Sequence, residues 1–428
     1  MTLRPVVRIQ TPTGLALCPA ESEPEATWTS AGTWVAYNDL RECGFNPLIS
    51  RVTGVQLIPA RGGAPRFVEL PTAPLGEAYS GDPELMPDPR GDGSVVLTTL
   101  YSNGSGLTLG MFRITPALQV TRLPSPSRTS GASDDKEFAA VDTSPRSKYR
   151  GRMYVAWDDF AASNVAVEVR AYAGHWLDLV KVATGTGAPD LAVAPNGTVA
   201  VAYEAGDTGV AVRISRDGGR SFGDPSIALR GGSPGRRDPG CPLRPAVGNR
   251  QRVLRSPRVT YDAAGALHVV AALGNVVDNV AAGPVGATRG GVAVIWHAVS
   301  RDGRTWQAAP VGRAEHVQWN PAIARAPGGG VAVAWLQTAD DTESSYDAFL
   351  AVRPRGARTF GAAVRLSPAT AILPPATEVL GTSDCYGIGD YIGMAPTRTG
   401  VVVVWPTTEG VERPGIDSDV YAREALIR

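Results

Sequence analysis

The chain is poor in the residues that usually mark a metal centre or a disulfide framework. Its 428 residues include four cysteines, four histidines and three lysines. The cysteines have no CxxC spacing and no neighbouring histidines, so no zinc site is predicted. Cys18 and Cys43 flank one predicted strand and could form a disulfide, which would leave Cys241 and Cys385 as a long-range pair; free buried thiols are an equal alternative.

An excess of charge and a long apolar run are also missing. The 41 basic and 41 acidic side chains give a formal net charge of zero. Proteins that bind nucleic acid or a membrane surface normally carry a basic face, so neither partner is expected. No apolar run reaches the roughly 18 residues of a membrane-spanning helix. Met1–Gln10 lacks the apolar core of a signal peptide, so a cytoplasmic location is expected unless a leader was removed from a secreted protein.

Glycine, proline and short apolar runs are abundant, with 49 glycines and 35 prolines. One unit recurs seven times: a polar residue, a short apolar strand, a turn with glycine, and a Val/Ala-rich strand that often ends in Trp or Tyr. The turn glycines are Gly32, Gly93, Gly151, Gly197, Gly265, Gly329 and Gly400. Each interval is long enough for a four-stranded antiparallel blade, so we predict an all-β propeller with 1–428 as one domain. Pairing of Val6–Gln10 with Val420–Arg423 would close the ring and hide its sheet edges.

Two compact turns follow alternating strands. In Val210–Phe222 the strand leads into Ser-Arg-Asp-Gly-Gly-Arg-Ser-Phe, where Asp217 can accept backbone N–H bonds and glycine supplies a positive φ. Ser300–Trp306 is the same turn one residue shorter, and Arg353–Phe360 is an eroded copy. These turns resemble the Asp box of sialidase-type (BNR-repeat) β-propellers, which lies away from the ligand. The resemblance implies a structural role for Asp217 and Asp302.

Two further segments strengthen this resemblance. Asp134–Asp142 with Tyr149–Asp159 looks like a segment common in bacterial sialidase-like proteins, and Asp384–Gly393 is similar to their GDYxG signature. The sialidase family proper has six blades, whereas the repeat favours seven here. The family implies a carbohydrate-active enzyme of sialidase-like type that performs exo-glycoside hydrolysis at the mouth of the central channel.

The candidate site follows from the repeat. The first strand of each unit should line the channel, so the polar residues at the strand starts should converge on one mouth. They are Glu25, Glu84, Glu137, Asp190, Arg258, Asn320 and Asp390. Crowded carboxylates require shifted pKa values, water or a ligand, and a hydrated polar channel is the alternative. Calcium could be held by the carboxylates, although no loop signature supports it; no other cofactor is expected.

Sialidase chemistry needs three arginines on the substrate carboxylate, a tyrosine nucleophile beside a glutamate, and an aspartate acid/base. The resemblance offers Asp135 as acid/base, Tyr386 as nucleophile, and Glu137 and Asp390 as further catalytic candidates. Substrate-binding candidates are Arg41, Arg255, Arg258, His316, Trp319 and Asn320. Trp319 breaks the register of the other tryptophans, which favours stacking on a sugar. The family's Arg-Ile-Pro motif is not present, and Arg8-Ile9-Gln10 is the nearest stretch.

Two other functions fit the same fold, because fold does not imply function. One is a non-catalytic propeller that binds a glycan or a protein. The other is a propeller re-used as a lyase or cyclase on a small molecule, in which His316 would serve as general base. In each case the expected ligand is a glycan or another small molecule.

Overall fold

The structure, a computed structural model, describes residues 1–10, 21–39, 52–74, 76–127, 132–161, 165–232, 234, 251–274, 293–312, 316–340, 343–373, 388–411 and 418–427, and the backbone alone of 236–238 and 241–247. Seven antiparallel sheets of four main strands form the blades of a propeller, as predicted. The innermost strands of neighbouring blades contact each other in a closed ring.

The strands of the first four blades follow the chain in order. The N-terminal strands are β1 (Thr2–Leu3) and β2 (Val7–Ile9). Blade 1 contains β3 (Glu21–Thr29), β4 (Gly32–Asp39), β5 (Thr53–Pro59) and β6 (Arg66–Phe67). Blade 2 contains β7 (Ala78–Pro87), β8 (Val95–Ser102), β9 (Leu107–Ile114) and β10 (Val120–Arg122). Blade 3 contains β11 (Asp134–Val141), β12 (Met153–Asp159), β13 (Ala166–Tyr172) and β14 (Val180–Thr184). Blade 4 contains β15 (Gly187–Val193), β16 (Val199–Glu204), β17 (Gly209–Ser215) and β18 (Ser226–Arg230).

A small extra sheet separates blade 4 from the last three blades. It contains β19 (Arg236–Asp238), β20 (Cys241–Val247) and β21 (Gln251–Arg252). Blade 5 contains β22 (Arg258–Tyr261), β23 (Leu267–Leu273), β24 (Val294–Ser300) and β25 (Gln307–Pro310). Blade 6 contains β26 (Gln318–Arg325), β27 (Val331–Thr338), β28 (Ser345–Arg353), β29 (Val364–Arg365) and the short β30 (Ala371–Ile372). Blade 7 contains β31 (Gly393–Pro396), β32 (Gly400–Thr407) and β33 (Asp419–Leu426). Two 3₁₀ turns are Gly206–Thr208 and Pro327–Gly329.

The N-terminal strands complete the last blade. In β2, Val7 lies opposite Ala422 and Ile9 lies opposite Val420 of β33. Arg8 Nε donates to Asp419 Oδ2 over 2.6 Å. The two ends of the chain therefore share one sheet, which covers the edge that β33 would otherwise expose.

The two ends of the channel differ because successive strands in each blade are antiparallel. The inner strands begin at one end, here called the loop-side mouth. The hairpins between the first and second strands, and the turns between the third and fourth, lie at the other end, here called the turn-side face. In one such turn, Asp217 Oδ1 accepts the N–H groups of Arg220 and Ser221 over 3.0 Å each. These donors outweigh burial and lower the pKa of Asp217 to about 2.

The core lies between the faces of adjacent blades. Its largest fully buried side chains are tryptophans in central strands of the blades, namely Trp34, Trp157, Trp296, Trp335 and Trp405. Val and Ala fill the space between them because sheets that pack face to face need small or branched side chains at the narrow centre of the ring.

Candidate functional site

Each inner strand has a residue in the left-handed backbone region, either within its first five residues or within four residues before its start. These residues are Glu23, Asp82, Lys136, Ala188, Ser256, Asn320 and Gly389, with φ between 43° and 102°. In five of the seven units the next residue is proline, at positions 24, 83, 189, 257 and 321. Proline has no N–H to donate, so it suits a point where the strand pairing is interrupted, and the pairing register does shift there in β3, β7, β11, β15 and β26.

Lys136 is the centre of the first group of charges at the loop-side mouth. Its Nζ lies 2.6 Å from Asp390 Oδ2, 3.4 Å from Asp82 Oδ2 and 3.8 Å from Glu23 Oε1. Burial lowers the pKa of Lys136, but the surrounding carboxylates outweigh it and the net pKa is raised. The ammonium group is therefore charged. With Arg252, these four residues form what we call the upper cluster.

Asp390 is held from three sides within the upper cluster. Arg252 grips both carboxylate oxygens, with Nε donating to Oδ1 over 2.7 Å and Nη2 donating to Oδ2. The Asp390 N–H donates to Glu23 Oε1 over 2.9 Å, and Asn38 donates to Glu23 Oε2 over 2.6 Å. Burial raises the pKa of Asp390, but Arg252 and Lys136 lower it by more than burial raises it. The net pKa is below the ordinary value, so this carboxylate stays ionised. Glu23 is fully buried beside Asp82, and its pKa is raised well above the ordinary value.

A second layer of charge lies deeper in the channel, which we call the lower cluster: Glu25, Glu84, Asp190 and Arg258. Arg258 Nη2 donates to Glu25 Oε2 over 2.6 Å, and Arg258 Nε lies 3.7 Å from Asp190 Oδ2. The guanidinium also lies 4.3 Å from the centre of the Phe138 ring. Arg258 of blade 5 thus links blade 4 to blade 1 across the ring.

The predicted ring of seven polar residues is therefore two layers. The lower-cluster residues and Phe138 each follow a left-handed residue by two positions, as the repeat implies. Glu137, Asn320 and Asp390 come one or two positions earlier in their units, so they belong to the upper level. Asn320 is itself left-handed, and its Nδ2 donates to the Gly389 carbonyl over 2.9 Å. The comparison of the seven repeat units misplaced these three residues, because it matched polar residues with one another and not the left-handed backbone positions.

Two carboxyl groups beside the upper cluster have raised pKa values. Asp135 is partly exposed, and its Oδ1 accepts the Lys136 N–H over 2.8 Å. Burial raises the pKa of Asp135 to about 6; Lys136 opposes the shift and Asp82 adds to it. Glu137 is 3% exposed, and neither carboxylate oxygen has a hydrogen-bond partner among the described residues. Burial and Asp82 raise its pKa well above the ordinary value.

Arg255 lies on the neighbouring side of the mouth. Its backbone N–H and its Nη1 donate to Glu204 over 3.1 and 3.4 Å. The side chain is 3% exposed, and its Nε and Nη2 have no partner among the described residues.

Asp158 is a further buried carboxyl group near the mouth. Its Oδ2 accepts the Ala188 N–H over 2.7 Å, and a Cβ at Gly187 would lie 2.7 Å from that oxygen. Glycine at 187 therefore makes room for a buried carboxyl.

The remaining predicted site residues either lie outside the described part of the chain or lie away from the two clusters. Arg41 and Tyr386 lie outside the described residues, as do Cys18, Cys43, Cys385 and the side chain of Cys241. His316 is partly exposed just before β26. Trp319 is fully buried with its ring 6.1 Å from that of Tyr346, so it packs in the core and presents no face to a sugar.

The sequence analysis missed Glu23, Asp82, Lys136 and Arg252. Two signals could have found the first three. One is the proline that follows Glu23 and Asp82, as it follows three other left-handed residues. The other is Lys136 itself, one of three lysines in the chain and flanked by acids. Arg252 reaches the site from the inserted sheet, and no local pattern marks it.

The described part of the chain contains neither a cluster of metal ligands nor a membrane-spanning helix. No group of three or more His, Cys, Asp or Glu side chains is arranged there to hold a metal ion. The helices among those residues are too short to cross a bilayer.

Comparison with known proteins places the fold. Neither a family model nor a curated protein matches the chain. Among solved structures, the polysaccharide lyase Uly1 is similar over 100% of both chains, at 9% identity and a TM-score of 0.53. The intramolecular trans-sialidase from Ruminococcus gnavus matches 75% of this chain and 90% of its own, at 10% identity and a TM-score of 0.49. Hadza microbial sialidase Hz136 matches 76% and 64%, at 14% identity and a TM-score of 0.46. Likeness at such low identity shows the propeller fold alone.

Proposed function

We propose that the loop-side mouth is the active site of a carbohydrate-active enzyme that hydrolyses a terminal glycosidic bond, with Asp135 as general acid/base. The observation that carries the proposal is a partly exposed carboxyl group at the mouth with a pKa of about 6. A group that titrates near neutral pH can be protonated before the reaction and ionised after it.

The neighbouring carboxylate supports a division of labour. Asp82 is partly exposed like Asp135. Burial raises its pKa, but Lys136 together with hydrogen bonds from Glu23 and Asn38 outweighs burial, so the net pKa is lowered. Two carboxyl groups whose surroundings push their pKa values apart are a common acid and base arrangement. Asp135 would donate its proton to the leaving oxygen as the bond between that oxygen and the anomeric carbon breaks, and Asp82 would stabilise positive charge on the sugar. Water then adds to the anomeric carbon and returns a proton to Asp135.

Action on a chain end is the part of the proposal that rests on the lower cluster. Arg258 pairs with Glu25 and Asp190 across the ring, which places a charged layer below the loop-side mouth. A terminal sugar that enters from the loop side would rest against this layer. Arg255 Nε and Nη2 are buried without a partner among the described residues, and they would hold a hydroxyl or carboxylate of that sugar.

Sialic acid is the first substrate to test, but the described arginines do not form a three-arginine grip. Arg252 is bound to Asp390 and Arg255 to Glu204, and Arg258 lies in the lower cluster. A sialidase would need Arg41 or another residue outside the described set to supply the missing charge. The substrate panel therefore includes neutral glycosides.

The test is release of 4-methylumbelliferone from its sialic-acid, galactose, glucose and N-acetylglucosamine glycosides. We expect turnover of at least one glycoside, and a loss of 100-fold or more in Asp135→Asn. Asp207→Asn, which changes an exposed carboxylate on the same side, should keep full activity. No turnover of any glycoside by the folded protein would reject hydrolysis and favour a non-catalytic glycan-binding propeller. Equal activity in the two variants would reject the role of Asp135.

A further inference from the structure

The arginines at the two ends of the propeller have different surroundings. Those of the upper and lower clusters are bound to carboxylates. On the turn-side face, four exposed arginines from blades 3 to 6 form no ion pair with any described residue: Arg146, Arg216, Arg301 and Arg355. This contrast gives the turn-side face unbalanced positive charge even though the whole chain is neutral.

The same four arginines line one cavity of about 660 Å³ between the hairpins of blades 4 and 5. Tyr261 also lines it, with a side chain 7% exposed and a hydroxyl that has no hydrogen-bond partner among the described residues. Burial raises the pKa of Tyr261 and Arg216 opposes the shift, so the hydroxyl keeps its proton and lies within the field of Arg216. The cavity thus offers four cations, and a neutral unpartnered O–H lies buried in its wall.

One carboxylate, that of Asp302, lines this cavity, and its oxygens already accept hydrogen bonds within its own turn. Asp302 Oδ1 accepts the N–H groups of Arg304 and Thr305 over 2.8 Å each, and Oδ2 accepts the Thr305 hydroxyl over 3.0 Å. With its acceptors used inside the turn, Asp302 does not pair with the nearby arginines. An anion entering the cavity would meet unpaired donors.

A second cavity of about 700 Å³ continues from the first. It shares Arg301 and Arg355 with the first cavity and adds Arg353 and Arg358. Two carboxylates also line it, the shared Asp302 and Asp262, whose Oδ1 accepts the N–H groups of Ala264 and Ala266 over 2.9 and 2.8 Å. The two cavities form a basic groove along the turn-side face, longer than one small anion would fill. Ile214 and Leu267 supply apolar wall in the first cavity.

We propose that this basic groove binds an anionic polysaccharide, whose carboxylate or sulfate groups pair with the arginines while its sugar rings rest on the apolar wall. The planar guanidinium fits such groups through two parallel hydrogen bonds. Single-stranded nucleic acid is the less suitable polyanion, because the residues lining the groove include no exposed aromatic ring for base stacking; Tyr261 is buried to its hydroxyl. The inference does not depend on hydrolysis at the loop-side mouth.

The test measures the affinity of the full chain for polygalacturonate by calorimetry at low ionic strength. The double variant Arg216→Ala/Arg301→Ala should weaken binding at least tenfold, and Tyr261→Phe should weaken it about threefold by removing one donor. The matched control Arg61→Ala/Arg90→Ala removes two exposed arginines from turns of blades 1 and 2 and should stay within twofold of the parent. All the altered arginines are exposed, so the variants should keep the parental melting temperature.

Four outcomes would overturn the proposal. Equal weakening in the site variant and the control would mean that net charge alone governs binding. Equal affinity for neutral dextran would remove the role of the anion. Tighter binding of a single-stranded DNA oligonucleotide through the same arginines would make nucleic acid the ligand. Binding of inorganic phosphate without polygalacturonate would reduce the groove to a small-anion site.

Discussion

At the scale of single residues, Lys136 organises the loop-side mouth. Its side chain is 16% exposed and it faces Asp390, Asp82 and Glu23 from two other blades and the chain segment before β31. Removing one partner of a buried ion cluster leaves the others without compensation, which is more costly than never having the cluster. Lys136 therefore contributes to the stability of the ring as well as to the charge of the site.

Replacing Lys136 with methionine should lower the free energy of unfolding by about 3–5 kcal/mol, because Glu23 and Asp82 lose their cation and Asp390 keeps only Arg252. Denaturation in urea at neutral pH measures this change. The chain offers a matched control in Lys148→Met, since Lys148 is exposed, and this variant should change the free energy by less than about 0.5 kcal/mol. Similar stabilities of the two variants would show that the upper cluster is not coupled to folding.

At the scale of elements, the left-handed kink at each inner strand places the site. Gly389 shows why its position needs glycine: φ is +102°, and an added Cβ would lie 2.6 Å from Glu23 Cγ and 3.0 Å from Glu23 N. The backbone of blade 7 approaches blade 1 closely there. That approach allows the Asp390 N–H to reach Glu23.

Gly389→Ala should destabilise the protein by about 2–4 kcal/mol, the sum of the φ penalty and the clash with Glu23. Gly62→Ala is the control, because Gly62 has φ +84° and no atom within 4 Å of an added Cβ. It should cost about 1 kcal/mol for the backbone alone. Thermal unfolding of both variants measures the difference, and equal costs would contradict the close approach.

The same elements show what the sequence could and could not predict. The seven units were visible because hairpin glycines and Val/Ala strands repeat, and the propeller with seven blades is confirmed. The level of each polar side chain in the channel was not visible, because a shift of one or two residues moves a side chain to another layer. Glu25 and Asp190 were aligned correctly, whereas Glu137 and Asp390 were not.

Contacts between residues that are far apart along the chain could not be predicted from local sequence patterns. His268 and His297 are in neighbouring strands of blade 5, and their ring nitrogens lie 2.9 Å apart. Arg252 reaches Asp390 from the inserted sheet. Neither pair has a spacing that marks it, since the topology and the inserted segment set the distance. The burial of Trp319 was missed for a related reason: breaking the register of the other tryptophans did not bring it to the surface.

At the scale of the whole molecule, the ring depends on its two chain ends. β1 and β2 pair with β33, and Asp419 binds both Arg8 and Gln10. Without these strands, the outer edge of β33 would present unpaired N–H and C=O groups. Exposed edges of this kind pair with other chains.

A chain lacking residues 1–10 should therefore melt at a lower temperature and associate as its concentration rises. Differential scanning calorimetry and light scattering after size-exclusion chromatography measure the two effects. A chain lacking residues 1–4 loses β1 but keeps β2 and should behave closer to the parent. An unchanged melting temperature for the shorter chain would show that the ring does not need this closure.

The measurement that tests the account most directly is the titration of Asp135 in the free protein. Carboxyl ¹³C NMR of protein labelled at aspartate, recorded from pH 3 to 8 beside Asp135→Asn, needs no known substrate. The account predicts one carboxyl signal with a midpoint of about 6 that is missing from the variant. A midpoint near the ordinary aspartate value of about 3.9 would contradict it, because only about one molecule in a thousand would then carry the proton at neutral pH, against about one in ten for a midpoint of about 6.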